Sequence, residues 1–250
     1  MSQQEYAAAQ YAPRAADYVT SAVHASGPDL LQIAALLDGK IGAVALDLGC
    51  GGGHVSFTAA PHVARVVAVD VTAEMLAQVA EQAAARGLQN IETRQAAVEE
   101  LPFADASFDV VLCRFTAHHW HNLEAGLREA RRVLKPGGLA VFIDTVAPAG
   151  RVLDTHLQAM ELLRDTSHVR NYSVAEWVAA LAQAGFSLRD FTLRTLRMEF
   201  AVWVARTKTP PAMQAAIRYL QLAAPEGVKT HFAIGEDGSF DIGSAAFVLG

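Results

Sequence analysis

The chain has 250 residues, of which 52% are hydrophobic and 18% charged, with a formal net charge of −6. That is enough apolar side chain for one large domain with a substantial core, and the acidic balance speaks against a nucleic-acid binder that works through a broad basic face. No apolar run approaches the ~20 residues that span a bilayer. The opening Met1-Ser2-Gln3-Gln4-Glu5-Tyr6 lacks the pattern of a signal peptide, and two cysteines, Cys50 and Cys113, are too few for a disulfide framework or a zinc site. The expectation is a cytoplasmic protein with reduced thiols, no membrane insertion and no nucleic-acid partner.

In chain order, residues 1–39 read as helical. Ser26-Gly27-Pro28 is a turn whose proline is placed to open a helix, and Leu30, Ile33, Ala34 and Leu37 recur at helical spacing. A first strand spans about 43–48 and runs into Gly49-Cys50-Gly51-Gly52-Gly53. A helix over about 54–60 stops at Pro61, and a second strand over 66–70 ends on Asp70. Thr72 is placed to cap the next helix, whose apolar stripe is Met75, Leu76, Val79 and Ala83 and which closes at Gly87. Strands follow at about 90–95 and 108–113. Asn122 caps a helix through Leu134, Lys135-Pro136-Gly137-Gly138 stops it, and a fifth strand spans 139–144. Five strands alternating with helices predict a parallel sheet covered on both faces.

After Val146 the pattern changes. Residues 151–164 form an amphipathic helix, and 165–172 a dense polar loop, either a substrate lid or a solvated connector. Ser173 and Glu176 fit a capping box for a helix over 174–184. A strand follows at about 187–196, Pro210-Pro211 opens a helix to about Leu222, and two β-like runs lie around 230–234 and 245–249. The chain reads as a single domain: a helical cap over 1–40, a cofactor-binding core over 41–146, and substrate-cap helices with C-terminal strands over 147–250.

Strand, glycine loop, helix and a second strand with a terminal acid is how a βαβ unit holds an adenosine-containing cofactor. Gly49, Gly51 and Gly53 let the backbone approach a ligand without Cβ collisions, and Asp70 can accept both ribose hydroxyl protons. A dinucleotide site has G-x-G-x-x-G and aims a helix N-terminus at a pyrophosphate. Here the glycines fall as G-x-G-x-G, and Asp47 lies inside the first strand. A carboxylate there would repel a pyrophosphate but suits a ligand with an amino group and a sulfonium, S-adenosylmethionine.

The run from Val44 to Gly53 resembles motif I of the class I S-adenosylmethionine-dependent methyltransferases. Leu101-Pro102-Phe103, Ser107-Phe108-Asp109-Val110-Val111 and Arg132-Val133-Leu134-Lys135-Pro136-Gly137-Gly138 look like the ubiquinone/menaquinone C-methyltransferase-like (methyltransferase type 11) branch. That resemblance covers about 43–145, while 118–121 and 164–172 look like a narrower bacterial group within the branch. It implies an α/β fold, a Rossmann-like sandwich with a seven-stranded, mostly parallel sheet whose last strand is antiparallel. It also implies S-adenosyl-L-methionine as cofactor and S-adenosyl-L-homocysteine as product. Around the glycine loop the implied cofactor contacts are Asp47, Gly49, Cys50, Gly51 and Gly53; beyond it they are Asp70, Val71 and Met75. The branch commonly has Gly-Asp-Ala-Glu before Leu-Pro-Phe, and here Ala96-Ala97-Val98-Glu99 stands instead. Recognition of adenine then falls to Ala97, to backbone groups near Val98, or to the Glu99 side chain.

His118, His119 and His121 follow the fourth strand, at the sheet edge where α/β ligand crevices form. Imidazole accepts a proton near neutral pH, so His118 and His119 are candidate bases and His121 a substrate contact. The plainer reading is that they line the pocket; a metal site lacks partners at usual spacing. Arg114 meets the cofactor carboxylate, a substrate anion or a surface acid, and Asp144 orients a substrate donor or caps a turn. His168, Arg170 and Tyr172 are the substrate candidates of the polar loop, and Tyr11 and Tyr18 either cover the methionine moiety or pack. Arg189, Arg194, Arg197, Arg206 and Lys208 read as a solvated face, with an anion site as the second reading. The function expected is methyl transfer to a small-molecule acceptor by in-line displacement. A nicotinamide-dependent oxidoreductase and a non-catalytic S-adenosylmethionine-binding protein are the alternatives.

Overall fold

Strands with apolar residues on both faces must be covered on both faces, and that requirement organises the chain. In this computed structural model, which describes residues 2–14 and 27–250, β1 is Val44–Leu48, β2 Arg65–Asp70, β3 Ile91–Gln95 and β4 Phe108–Arg114. The later strands are β5 Leu134–Val146, β6 Leu188–Met198 and β7 Phe240–Leu249. They form one sheet in the order β3-β2-β1-β4-β5-β7-β6. The first five are parallel, and β7 is antiparallel to both its neighbours, β5 and β6. The register sets Leu46 between Val67 and Val111, so the ends of β1, β2 and β4 open on one edge.

Alternation along β1 and its neighbours divides the core in two. Leu46, Leu48, Val111 and Phe142 pack on one side with Leu127 of α5 (Leu123–Val133) and with Trp177 and Leu181 of α7 (Val174–Gln183). The numbering of helices here follows chain order, with α1 Gln3–Tyr11, α2 Pro28–Leu36, α3 His54–Ala59, α4 Ala73–Ala85 and α6 Arg151–Arg164. Ala45, Val110, Leu112 and Val141 pack on the other side with Leu30 and Ile33 of α2 and Val55 of α3. Asn122 caps α5 by accepting from Ala125 N–H at 2.9 Å, and Ser173 with Glu176 closes a capping box on α7. A further cluster of Leu157, Met160, Trp203, Ile217 and Phe240 joins α6 to α8 (Phe200–Arg206), α9 (Pro211–Ala223) and the start of β7.

Four local expectations change. Thr72 stands at the cap position of α4 but makes no side-chain cap bond; its N–H goes instead to Asp70 Oδ1 at 2.9 Å. The stop at Lys135-Pro136-Gly137-Gly138 lies inside β5, and the ladder to β4 shifts register there, with Gly137 at φ 73°. The β-like run at 230–234 is the end of α10 (Glu226–His231) and a turn. Val228 and Phe232, four apart, are both buried, and Phe232 N–H reaches Val228 O at 3.1 Å, so the helical period wins over the β pattern. The polar loop is not solvated throughout, since Asp165, Ser167, His168 and Asn171 are buried. Tyr18 lies outside the described residues.

Candidate active site

The glycine loop turns in left-handed backbone, with Gly49, Gly51 and Gly53 at φ 61°, 49° and 80°. A Cβ at Gly49 would stand 2.2 Å from Thr116 Oγ1, so the loop closes on β4's extension only without a side chain there. Cys50 N–H donates to Val69 O at 2.8 Å, which holds the loop over β2. Gly51 N–H donates to Asp70 Oδ2 at 2.9 Å, so with Thr72 N–H both carboxylate oxygens are fixed. Burial nevertheless pushes the Asp70 carboxyl up from its ordinary value. Asp47 accepts from Ser56 Oγ of α3 at 2.6 Å, and burial pushes it up to about 7.

Above this loop a cavity of about 400 Å³ opens along the carboxyl ends of the strands. Of the candidate cofactor contacts, Asp47, Gly49, Cys50, Gly51, Asp70, Val71 and Met75 are in its wall, as are Val98, Glu99 and Arg114. Gly53 and Ala97 are not. Gly53 instead starts α3, where a Cβ would strike Phe57 and Val79 at 2.8 and 2.9 Å. Arg114 forms a buried ion pair with Asp29 of α2, in place of the surface acid considered from sequence.

The other half of the cavity is built around a single helical turn, Ala117–His119, that follows β4. His118 Nδ1 lies 2.6 Å from Asp144 Oδ1, and its backbone N–H reaches Oδ2 at 3.2 Å. Asp144 is buried at the end of β5 and stands behind His118 rather than in the cavity wall. Burial pulls the His118 imidazole down, but the Asp144 carboxylate outweighs it and the net shift is upward. Among the described residues no group bonds its Nε2. His119 has a neighbour at each nitrogen: Nε2 is 2.9 Å from the Tyr11 hydroxyl and Nδ1 3.2 Å from Ser167 O, and the neutral ring can donate to one of the two. Tyr11 donates to Asp165 Oδ2 at 2.6 Å. Burial and the neighbouring His118 push His119 down to about 4. The two rings are 4.3 Å apart between centroids.

The loop over 165–172 lies beneath this turn. Val169 N–H and Arg170 N–H both donate to His118 O, at 2.8 and 3.2 Å. His168 Nε2 pairs with Gln158 Oε1 at 2.9 Å, and burial pushes it down to about 2. Arg170 bridges Asp154 and Glu176 at 3.0 and 3.1 Å, and Tyr172 packs on Trp177. None of these three side chains reaches the cavity wall, because each is spent on holding the loop to α6 and α7; exposed His121 does reach it. The wall also contains Glu161 and Arg164 of α6, Trp203 and Arg206 of α8, and Met198 and Ile242, of which the sequence pointed only to Arg206. The one signal for Glu161 and Arg164 was a polar pair at i,i+3 beside the apolar stripe of α6.

Among the described residues no three His, Cys, Asp or Glu side chains are placed to hold a metal ion, and no helix is long and apolar enough to cross a membrane. Residues 46–142 match a family model described as a methyltransferase domain. Over 188 residues the chain is 48% identical to the uncharacterised protein YafE of Escherichia coli (strain K12), covering 75% of this chain and 91% of that one. Over 193 residues it is 34% identical to the uncharacterised methyltransferase YcgJ of Bacillus subtilis (strain 168), covering 77% and 76%. The crystal structure of YcgJ superposes with a TM-score of 0.85 at 30% identity, over 88% of this chain and 96% of that one. A methyltransferase candidate from Bacillus halodurans C-125 superposes at 0.86 with 31% identity, over 89% and 98%. Glycine loop, acid-ended β2, antiparallel β7 and these relatives together make the chain a member of the class I S-adenosylmethionine-dependent methyltransferases, in the YcgJ-like family.

Proposed function

We propose that His118, backed by Asp144, is the base of this small-molecule methyltransferase, and that the glycine loop and Asp70 hold its cofactor. The observation that carries the reading is the 2.6 Å contact between His118 Nδ1 and Asp144 Oδ1, in a histidine whose ring lines the same cavity as Asp70. A carboxylate at Nδ1 fixes the proton there and leaves Nε2 bare toward the cavity. His119 has no such carboxylate-backed nitrogen: its Nε2 faces the Tyr11 hydroxyl and its Nδ1 lies against Ser167. Its role is to pack against His118 and hold the turn.

The residues present suit the cofactor. Asp70 is fixed by two backbone N–H groups at the cavity edge, and a ribose diol can reach its remaining lone pairs. Asp47 and Asp70 together place acid where a cation is to sit, and the bare backbone at Gly51 leaves open space for it. S-adenosylmethionine, when bound, supplies an electrophilic methyl group on a sulfonium. The protein's share is then to align the acceptor at about 3–3.5 Å, remove its proton through His118 Nε2 and exclude water. Ala97 and Gly53 drop from the direct contacts, and Val98 with Glu99 face the adenine.

The ubiquinone/menaquinone C-methyltransferase-like branch belongs to this reading as a description of the cofactor half. The chain is 40% identical to such an enzyme of Brucella anthropi over 101 residues, only 39% of its own length. It is also 30% identical over 215 residues to a ubiquinone biosynthesis O-methyltransferase of Xanthomonas axonopodis pv. citri. We place the protein in the cytoplasm, where its two buried thiols, both pushed up by burial, stay reduced. The test is incubation of cell extracts with methyl-labelled cofactor. Mass spectrometry should find a labelled small molecule with the wild type and lose it with His118→Ala, while calorimetry shows S-adenosylhomocysteine binding unchanged. Equal labelling by the variant would reject the base.

A further inference from the structure

We propose that this chain pairs with a second copy of itself through the free edge of β6, antiparallel and about a two-fold axis at Thr192.

β6 ends the sheet and pairs only with β7, so one row of its backbone N–H and C=O groups has no strand beside it. An edge that is to stay single is short, bulged or guarded by charge. β6 is eleven residues long, and its one bulge lies between Leu188 and Asp190; from Asp190 on, its ladder to β7 is regular. The charges along that regular stretch complement one another. A two-fold axis at Thr192 sets Asp190 opposite Arg194 of the second copy, Phe191 opposite Leu193, and Thr192 opposite itself.

Neither charge is answered within one copy. Arg194 Nη2 donates to the neutral Gln32 Oε1 at 2.7 Å, and its buried Nη1 has no hydrogen-bond partner. Asp190 Oδ1 accepts Phe191 N–H at 2.8 Å, and among the described residues no cation pairs with it. Across the axis the two are a facing pair, with Cβ atoms about 5 Å apart, and the symmetry forms that pair twice. The other face of the strand supplies apolar surface. Phe191 packs on Phe247 with ring centroids 5.3 Å apart and stays half-buried, while Leu193 is 60% exposed. Each Leu193 then covers the Phe191 of the second copy.

The register is specific. Moving the axis to Leu193 sets Arg189 against Arg197 and leaves Asp190 facing Leu196, so like charges meet and the ion pairs are lost. The opposite edge of the sheet lacks these features: β3 has five residues, and its Glu92 is already paired with Arg65 at 3.3 Å. Further along β6, Thr195, Leu196, Arg197 and Met198 are in the cavity wall. Pairing joins the two sheets into one and braces the strand that supplies this wall.

The test is sedimentation equilibrium of the full chain at up to about 100 μM, where the wild type should be a dimer. Asp190→Arg sets like charges opposite each other on both sides of the axis, and so does Arg194→Asp. Each should weaken the dimer about tenfold or more. The double variant restores opposite charges and should recover most of the affinity. Thr192→Cys brings one thiol from each copy to the axis and should give a reducible cross-linked dimer on mild oxidation, with Cys50 and Cys113 buried away from it. That cross-link decides the case in which a charge variant fails to fold. A monomeric wild type, a dimer that both single swaps leave intact, a double swap no tighter than the singles, or no cross-link at Thr192→Cys would overturn the proposal.

Discussion

Asp47 couples the cofactor site to pH, and the size of the effect follows from its burial. Its carboxyl is 1% exposed, has Ser56 Oγ as donor at 2.6 Å, and is pushed from 3.8 to about 7 by desolvation, with the Asp70 charge adding to it. The folded chain therefore keeps a proton that the unfolded chain releases above pH ~4. A raised carboxyl makes stability fall as pH rises from the unfolded value through the folded one. Each unit is worth about 1.4 kcal/mol, so the two units between pH 5 and about 7 amount to about 3 kcal/mol. Asp47→Asn keeps the shape and an oxygen for Ser56 and has no charge to gain. Urea denaturation at pH 5 and pH 8 should find the variant gaining about 3 kcal/mol on the wild type across that interval. Binding of the cationic S-adenosylmethionine near pH 6 should also release protons from the wild type and fewer from the variant, read by calorimetry in buffers of different ionisation enthalpy. Stability curves that run parallel from pH 5 to pH 8, with no buffer dependence, would refute the reasoning.

Asp70→Ala should weaken S-adenosylhomocysteine at least about tenfold in calorimetry, since hydrogen bonds to a charged group contribute about 1.5–3 kcal/mol each. Once an acceptor is in hand, His118→Ala should slow turnover about 10²–10⁴-fold with cofactor affinity intact. Asp144→Asn should move the rising limb of the pH–rate profile to lower pH, because the carboxylate that lifts the imidazole is gone; an unmoved limb would assign the limb to another group. Gly49→Ala should cost at least about 2 kcal/mol, from left-handed backbone plus overpacking against Thr116, and Thr116→Ala in the same chain should recover part of it in thermal denaturation. Asp165→Ala should destabilise the fold rather than alter acceptor kinetics alone, because it strips partners from Tyr11 and Ser167 at once.

The cofactor half was legible because its parts are neighbours both in sequence and in space. Val44 to Gly53 and Val66 to Asp70 form one βαβ unit, and the register of β1 on β2 follows from it. The His118–Asp144 contact needed one fact more. His118 follows β4 and Asp144 lies near the end of β5, and the parallel register of the two strands, which ends with Arg114 beside Ile143, brings them together. The far wall was out of reach, since Glu161, Arg164 and Trp203 meet through the packing of α6 on α8, and the i,i+3 pair on α6 does not say what it faces. The loop over 165–172 read as a substrate lid or a solvated connector, and its burial was not legible for a different reason. Polar composition reads as solvated, yet Ser167 donates to Asp165 at 2.7 Å and Gln158 to Asn171 O at 2.7 Å, and satisfied polar groups can be buried. The run at 230–234 has strand-like residues, but Val228 and Phe232 share one face of a helix and the core took that face.

The position of β7 bears on how the chain is made. It is synthesised after β6 and all three helices that follow β6, yet it lies between β5 and β6 in the sheet. Until it inserts, β6 has no strand to pair with, and Leu188 and Leu193 belong to an open edge. The cavity's far wall, with Met198 on β6 and Ile242 on β7, cannot close before then. Co-translational folding thus reaches the cofactor-binding strands early and must hold the acceptor side open until the last strand leaves the ribosome. Loss of β7 would not merely trim an edge; it would detach β6 from the sheet and leave it as a free adhesive strand.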